Sequence, residues 1–179
     1  VEAGLDLPFD EALRHERQLF LQCIDSPQRA GLVHAFFAER EVAKAPETRN
    51  AQPRPVAAVG VVGGGTMGAG IAVALLDAGL PVTMVERDDA SLARGRANVE
   101  KVYDALVAKG RMTAEAKATV LDRFTGSTSY AALAQADLVI EAVFEDLAVK
   151  QAVLRELDRV CKPGAILATN TSYLDIDAL

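Results

Sequence analysis

Gly63, Gly65 and Gly68 occupy the three glycine positions of G-x-G-x-x-G. They lie in Val56–Gly70, VAAVGVVGGGTMGAG, where an apolar run enters the glycines and a helix-compatible run leaves them. Each position favours glycine for a physical reason. The first permits a tight strand-to-helix turn. The second puts no side chain in the way of a pyrophosphate. The third lets the new helix pack close against the strand. The helix that opens at Thr66 and Met67 then offers unpaired N–H groups and about half a positive charge to phosphates. An ordinary glycine-rich turn has the same spelling, so the neighbouring residues decide between the two readings.

Glu86 is the first of those neighbours. It follows Gly63 by 23 residues, at the C-terminal end of the next apolar run, PVTMVE. A carboxylate there accepts hydrogen bonds from an adenosine ribose and repels a 2′-phosphate, which favours NAD over NADP. Arg87 beside it is the residue type that would hold such a phosphate. The competing reading of Glu86 is a solvated acid at a strand end.

Two further clusters end apolar runs. In EAVFE, Glu141–Glu145, the last acid stands five residues before Lys150. Glu145 can contact a ribose or nicotinamide, and Lys150 can reach a phosphate or pair with Glu145. Equally, the two form an exposed pair at a helix start, worth under about 1 kcal/mol. In Thr169-Asn170-Thr171-Ser172, the Ser172 hydroxyl can bond both a cofactor amide and a substrate oxygen. Alternatively, Ser172 or Asp175 caps the next helical turn. No histidine lies near Ser172 in sequence, so nothing marks it as an activated nucleophile. His15 and His34 sit far from these motifs, and Arg94, Arg96 and Lys101 read as a solvated basic face.

These residues need a scaffold that brings several strand ends together, and the hydrophobic pattern predicts one. Strands are expected at Val56–Val62, Pro81–Glu86, Phe124–Ser127, Asp137–Val143 and Ala165–Thr169. Helices are expected at Met67–Ala78, Ala90–Lys109, from a Thr113 cap through Leu121, and at Leu147–Val160. Strands alternating with helices imply parallel pairing and a doubly wound α/β sheet, covered on both faces. Ahead of it, residues 9–45 read as two helices separated by Ser26-Pro27, an N-cap followed by a proline at the first helical position. Leu13, Arg17, Phe20 and Ile24 share one face of the first; Leu32, Phe36 and Phe37 lie near one face of the second. The polar, proline-rich residues 46–55 read as a linker. The expected organisation is therefore 1–45 helical, 46–55 linker and 56–179 nucleotide-binding domain.

Bulk properties narrow the classes. A net charge of −6 and a pI near 5.0 argue against a nucleic-acid surface. Two cysteines far apart, Cys23 and Cys161, make no metal-ligand spacing and fit a reducing, cytoplasm-like compartment, with a peroxisome or other organelle left open. No apolar run has transmembrane length. Val1 and Leu179 both read as cut ends of a longer protein.

Taken together, VVGGGTMGAGIA, Glu86, EAVFEDLAVK and ATNTS resemble the NAD-binding domain of the L-3-hydroxyacyl-CoA dehydrogenase family, over about Val56 to Leu179. PFDEALRHERQLFLQCIDSPQRAGLVHAFFAER is similar to the last helices of an enoyl-CoA hydratase module, an order found in multifunctional enzymes of fatty acid β-oxidation. The resemblance implies that Gly63, Gly65, Met67 and Gly68 shape the dinucleotide site and that Glu86 holds the adenine ribose. It implies that Val143, Glu145 and Lys150 line the cofactor, that Ser172 contacts nicotinamide and the 3-oxygen of a 3-hydroxyacyl-CoA, and that Asn170 supports the site. It also implies that the family's catalytic histidine and its glutamate, the closing helical domain and the hydratase site lie in other parts of the parent. Phe20, Phe36 and Phe37 are then expected to be exposed, packing on the nucleotide-binding domain or on a second copy of the chain.

Three positions depart from the family pattern. Gly64 replaces a frequent alanine, which reads as harmless. Glu86 replaces a frequent aspartate, and Tyr173 replaces a small polar residue. The competing families are the 3-hydroxyisobutyrate and 6-phosphogluconate dehydrogenases, which share a Met-Gly glycine loop but not ATNTS, and a non-catalytic NAD-binding module.

Overall fold

The computed structural model describes residues 2–45 and 49–179 and divides into two compact units, with the boundary between Pro53 and Arg54. That boundary falls within the expected linker, of which residues 46–48 lie outside the described residues.

In the first unit a short helix α1 (Glu2–Asp6) precedes α2 (Phe9–Ile24) and α3 (Pro27–Val42). The expected Ser26-Pro27 start is present: Ser26 Oγ accepts the Arg29 N–H at 3.1 Å and Pro27 opens α3. Neither α2 nor α3 buries any residue, and Phe20, Phe36 and Phe37 are all exposed. The Phe36 and Phe37 rings meet edge to face at 5.3 Å, and the Arg40 guanidinium lies over Phe36.

The second unit is a five-stranded, wholly parallel sheet in the order β3-β2-β1-β4-β5. Its strands are β1 (Val59–Val62), β2 (Val82–Val85), β3 (Phe124–Ser127), β4 (Leu138–Glu141) and β5 (Ile166–Thr169). Helices α4 (Thr66–Asp77), α5 (Asp89–Ala108), α6 (Ala114–Leu121) and α7 (Leu147–Val160) connect them. Thr113 caps α6 by accepting the Ala116 N–H, as expected of a threonine directly before a helical run. The order is that of a doubly wound sheet, with its crevice outside the C-terminal ends of β1 and β4, where the chain direction of winding reverses.

Side chains of alternate parity feed two cores. Val61, Val82 and Met84 pack with Ala72, Leu76, Val99 and Tyr103 of α4 and α5. Val62, Val85 and Val139 pack with Leu133, Val153 and Leu157 on the opposite face. Tyr103 donates its hydroxyl to Asp77 at 2.9 Å, and burial followed by that carboxylate pushes its pKa up.

Four strands, β1, β2, β4 and β5, are shorter than the apolar runs suggest, and at the start of β1 and the end of β4 a carboxylate sets the limit. β1 begins at Val59 because Asp137 Oδ2 accepts the Ala57 and Ala58 N–H groups at 2.7 and 3.0 Å, while its Oδ1 accepts from Lys162. β4 stops at Glu141 because that residue's Oε1 accepts the Val143 N–H at 2.7 Å. A 3₁₀ turn, Tyr130–Leu133, not signalled by the period of the sequence, buries Leu133 under the sheet.

Candidate functional site

The glycine turn joins β1 to α4 at the centre of the sheet. Gly63 holds φ = +98°, a conformation that side-chain-bearing residues rarely adopt. A Cβ on Gly68 would collide with the Gly63 carbonyl oxygen, so the helix can close on the strand only without it. A Cβ on Gly65 would meet nothing within 4 Å, and its open space faces the crevice mouth that a diphosphate requires.

Glu86, at the end of β2, turns back onto this loop. Its Oε1 accepts the Gly64 N–H at 2.7 Å, and its Oε2 accepts the Arg87 N–H at 3.2 Å. On the other side of the same residue, Asn98 Nδ2 donates to the Gly64 carbonyl at 3.0 Å. Gly64 is thus held from β2 and from α5 at once. Its substitution for alanine is more than harmless here: a Cβ would lie 2.7 Å from Gly95 Cα and 2.8 Å from Met84 Sδ. The missing methyl lets α5 dock backbone to backbone on the turn.

These residues line a cavity of about 770 Å³ that runs from the glycine turn past Glu86 and Arg94 to Tyr130, Val143 and Val153. Its size lies in the range of small-molecule sites. Arg87 is exposed and points its guanidinium to Asp88 at 3.1 Å, while Arg94 donates to Ser91 Oγ at 2.8 Å. Of the expected basic cluster, Arg94 therefore lines the cavity, whereas Arg96 lies over the Phe124 ring and pairs with Glu100.

The β4–β5 edge differs from the expected surface pair. Lys150 is 1% exposed and Glu141 is fully buried. Lys150 Nζ donates to Glu141 at 2.9 and 3.1 Å and lies 3.2 Å from Glu145 Oε2. Its partner is first the strand acid and only then Glu145, so the exposed-pair reading is corrected. Glu145 Oε1 accepts from the Thr171 hydroxyl at 2.5 Å and from the Ser172 N–H at 3.0 Å. Those bonds, the hydroxyl first, hold its pKa down at about 2. Ser172 is exposed and fixed through its backbone, and Asn170 donates its N–H to the Glu141 carbonyl at 2.9 Å. The cap of the last 3₁₀ turn is Asp175, which accepts the Asp177 N–H; Ser172 does not fill that role.

Asn98 carries no sign of its role in the sequence, and Glu141, Thr169 and Thr171 stand there only as members of their motifs. Lys150, Val153 and Leu157 form one buried stripe on α7, and that spacing was the available sign that Lys150 points inward. Asn98 lies one turn beyond Gly95 on α5, among residues read only for their apolar or basic character.

The profile of 3-hydroxyacyl-CoA dehydrogenase, NAD binding domain, matches residues 58–179. The chain belongs to the 3-hydroxyacyl-CoA dehydrogenase family. The peroxisomal bifunctional enzyme of Cavia porcellus is 40% identical over the whole chain, and a peroxisomal fatty acid β-oxidation multifunctional protein of Arabidopsis thaliana is 39% identical over 92% of it. The chain spans about a quarter of the length of these relatives, 25% and 23%. Among solved structures, (S)-3-hydroxybutyryl-CoA dehydrogenase from Ralstonia eutropha is 42% identical with a TM-score of 0.66, covering 68% of this chain and 43% of its own. FadB2 of M. tuberculosis is 40% identical with a TM-score of 0.68, covering 70% and 44%. NAD is the cofactor of this domain family, and the open glycine turn with Glu86 beside it fits a dinucleotide. Among the described residues no helix is long and apolar enough to cross a membrane, and no cluster of metal-ligating side chains is present.

Proposed function

We propose that this chain is the NAD-binding part of an enzyme that oxidises a (3S)-3-hydroxyacyl-CoA to a 3-oxoacyl-CoA, within a multifunctional protein of fatty acid β-oxidation. The observation that carries the reading is the fixing of Ser172 at the same strand edge as the glycine turn, by a carboxylate that itself belongs to the EAVFE segment. NAD, when bound, accepts hydride from C3 of the substrate. The chain's own residues bind and orient. The amides after Gly64, at the start of α4, face the pyrophosphate. Glu86 takes the adenine ribose with the oxygen lone pairs that Gly64 leaves open. Thr66, Met67, Arg87, Val143, Glu145 and Asn170 surround the dinucleotide, and Ser172 offers its hydroxyl to the nicotinamide and the substrate oxygen.

Residues 54–179 contain no histidine, and proton removal from the 3-hydroxyl is assigned to the family's histidine in another part of the parent protein. The experiment is calorimetric titration with NAD and NADP, beside a turnover assay with acetoacetyl-CoA and NADH. NAD binding without turnover supports the reading. Turnover by these 179 residues would refute the assignment of the base elsewhere.

Residues 1–45 are assigned to the tail of an upstream hydratase module and 46–55 to its linker. Alignment of the whole chain with the bifunctional relatives supports this, as do dehydrogenase structures that cover only 68–70% of it. The uncovered Phe36 and Phe37 are proposed to mediate self-association. The free thiols Cys23 and Cys161 and the peroxisomal relatives support a reducing site of β-oxidation, cytoplasmic or peroxisomal.

A further inference from the structure

One buried ammonium organises the floor of the β4–β5 edge. The donors of Lys150 go to Glu141 Oε1 and Oε2, Glu145 Oε2 and, at 3.4 Å, the Val143 carbonyl. Each of the two carboxylates then holds one threonine hydroxyl. Thr169 donates to Glu141 Oε2 at 2.7 Å, and Thr171 donates to Glu145 Oε1 at 2.5 Å. Each hydroxyl in turn accepts a backbone N–H: that of Thr171 at Thr169 Oγ1 and that of Leu174 at Thr171 Oγ1, both at 3.2 Å. The Ser172 and Tyr173 N–H groups go to Glu145 at 3.0 and 3.4 Å. Four consecutive amides, 171 to 174, are therefore fixed by side chains that all trace back to Lys150. A hydroxyl can donate once and accept as well, which is what lets a threonine pass the constraint from carboxylate to backbone.

A buried ion pair of this kind adds little as a source of stability alone, because an apolar pair of similar volume usually serves as well. Its geometric output here is the placement of Ser172. We propose that Glu141, Thr169 and Thr171 are positioning residues, which set the Ser172 hydroxyl at the nicotinamide end of the crevice through the backbone amides of residues 171–174. Lys150 joins the two carboxylates of this network, Glu141 and Glu145. The role of Ser172 in this statement rests on the dehydrogenase reading above; the ordering of residues 171–174 does not.

The test uses the full chain with Lys150→Met, Glu141→Gln and Thr171→Val. Hydrogen exchange of the unliganded proteins is measured at Ser172–Leu174, with β1 and α4 as internal references. Loss of a charge-assisted bond should speed exchange at 172–174 by about tenfold while the references keep wild-type rates. Calorimetry then compares NAD with ADP, which carries the adenosine and both phosphates but no nicotinamide. NAD affinity should fall about tenfold in each variant and ADP affinity should stay within about twofold.

Wild-type exchange at 172–174 in Thr171→Val would overturn the proposal. So would a uniform rise across the sheet, or equal loss of ADP and NAD in Lys150→Met with neither lost in Thr171→Val, which would put Lys150 on a phosphate. If Lys150→Met does not fold, the half-buried Thr171→Val carries the decision. If the wild type binds neither NAD nor ADP, the dinucleotide reading fails, and the exchange measurement still decides the ordering.

Discussion

The two sides of the crevice reach a fixed shape by opposite means. At the glycine turn the shape depends on atoms that are missing: Gly68 has no Cβ to strike the Gly63 carbonyl, and Gly64 has none to strike Gly95. At the β4–β5 edge it depends on charges that are buried, with Lys150 between Glu141 and Glu145. The first arrangement is mainly steric, with the Glu86 carboxylate and the Asn98 amide holding Gly64 in addition. The second runs through ionised groups and hydroxyls, so a one-atom change can undo it while the fold persists. Under the proposed function, such a crevice pairs a sterically shaped phosphate end with an electrostatically set nicotinamide end.

The largest effect should come from the charged side. Glu141→Leu leaves the Lys150 ammonium buried with only Glu145 beside it, and removal of one partner of a buried pair costs about 3–5 kcal/mol. Urea unfolding measures this, and a loss under about 1 kcal/mol would mean the edge relaxes as freely as a surface pair. The steric side should respond next. Gly64→Ala forces a methyl onto Gly95 and Met84, an overpacking cost of about 1–3 kcal/mol, with a matching fall in NAD affinity. A variant as stable as the wild type would show that α5 is free to move away from the turn.

Glu86→Gln should weaken NAD by about tenfold, close to 1.4 kcal/mol, and NADP by less, because the amide no longer repels a 2′-phosphate. Equal losses in calorimetry would remove Glu86 from cofactor choice. Acid should then separate the two sides. Glu145 is held at about 2 by the Thr171 hydroxyl and the Ser172 amide, and Asp137 at about 2 by Lys162 and the Ala57 and Ala58 amides. Both values lie below the unfolded ones, 4.5 and 3.8, so their stabilisation is complete above about pH 5 and is lost as pH falls toward 2. Melting temperature should drop in that window, and Glu145→Gln and Asp137→Asn should each flatten part of the drop. An unchanged acid limb in both variants would contradict the assignment. The smallest change in stability, within about 0.5 kcal/mol, is expected for the exposed Phe36→Glu, whose effect should be on assembly. Light scattering on size-exclusion fractions reads it, and an unaltered mass would end the self-association idea.

The same contrast explains what could be read from the sequence. Steric devices are spelled locally: Gly63, Gly65 and Gly68 sit within six residues, and Ser26 and Thr113 stand next to the helices they cap. Glu86 was legible because a strand of ordinary length fixes its distance from the turn. Glu141 and Lys150 were not legible as partners, because their pairing depends on α7 folding over β4, a tertiary event that spacing alone does not encode. Asn98 was hidden for the same reason: its target, the Gly64 carbonyl, is 34 residues away. The strand limits at Val59 and Glu141 moved because side-chain carboxylates took amides that an apolar run would give to the ladder.

Strand β4 has a carboxylate peg at each end: Asp137 just before it clasps the entry to β1, and Glu141 at its last residue grips α7. Between them stand Leu138, Val139 and Ile140, three apolar residues of similar size that by themselves would tolerate sliding along β1 and β5. A slip of one residue would turn Glu141 to the opposite face of the sheet and strand Lys150, while Asp137 released Ala57 and Ala58. Misaligned pairings of β4 thus carry two unmatched charges, so the correct alignment is singled out even though its oily middle says little.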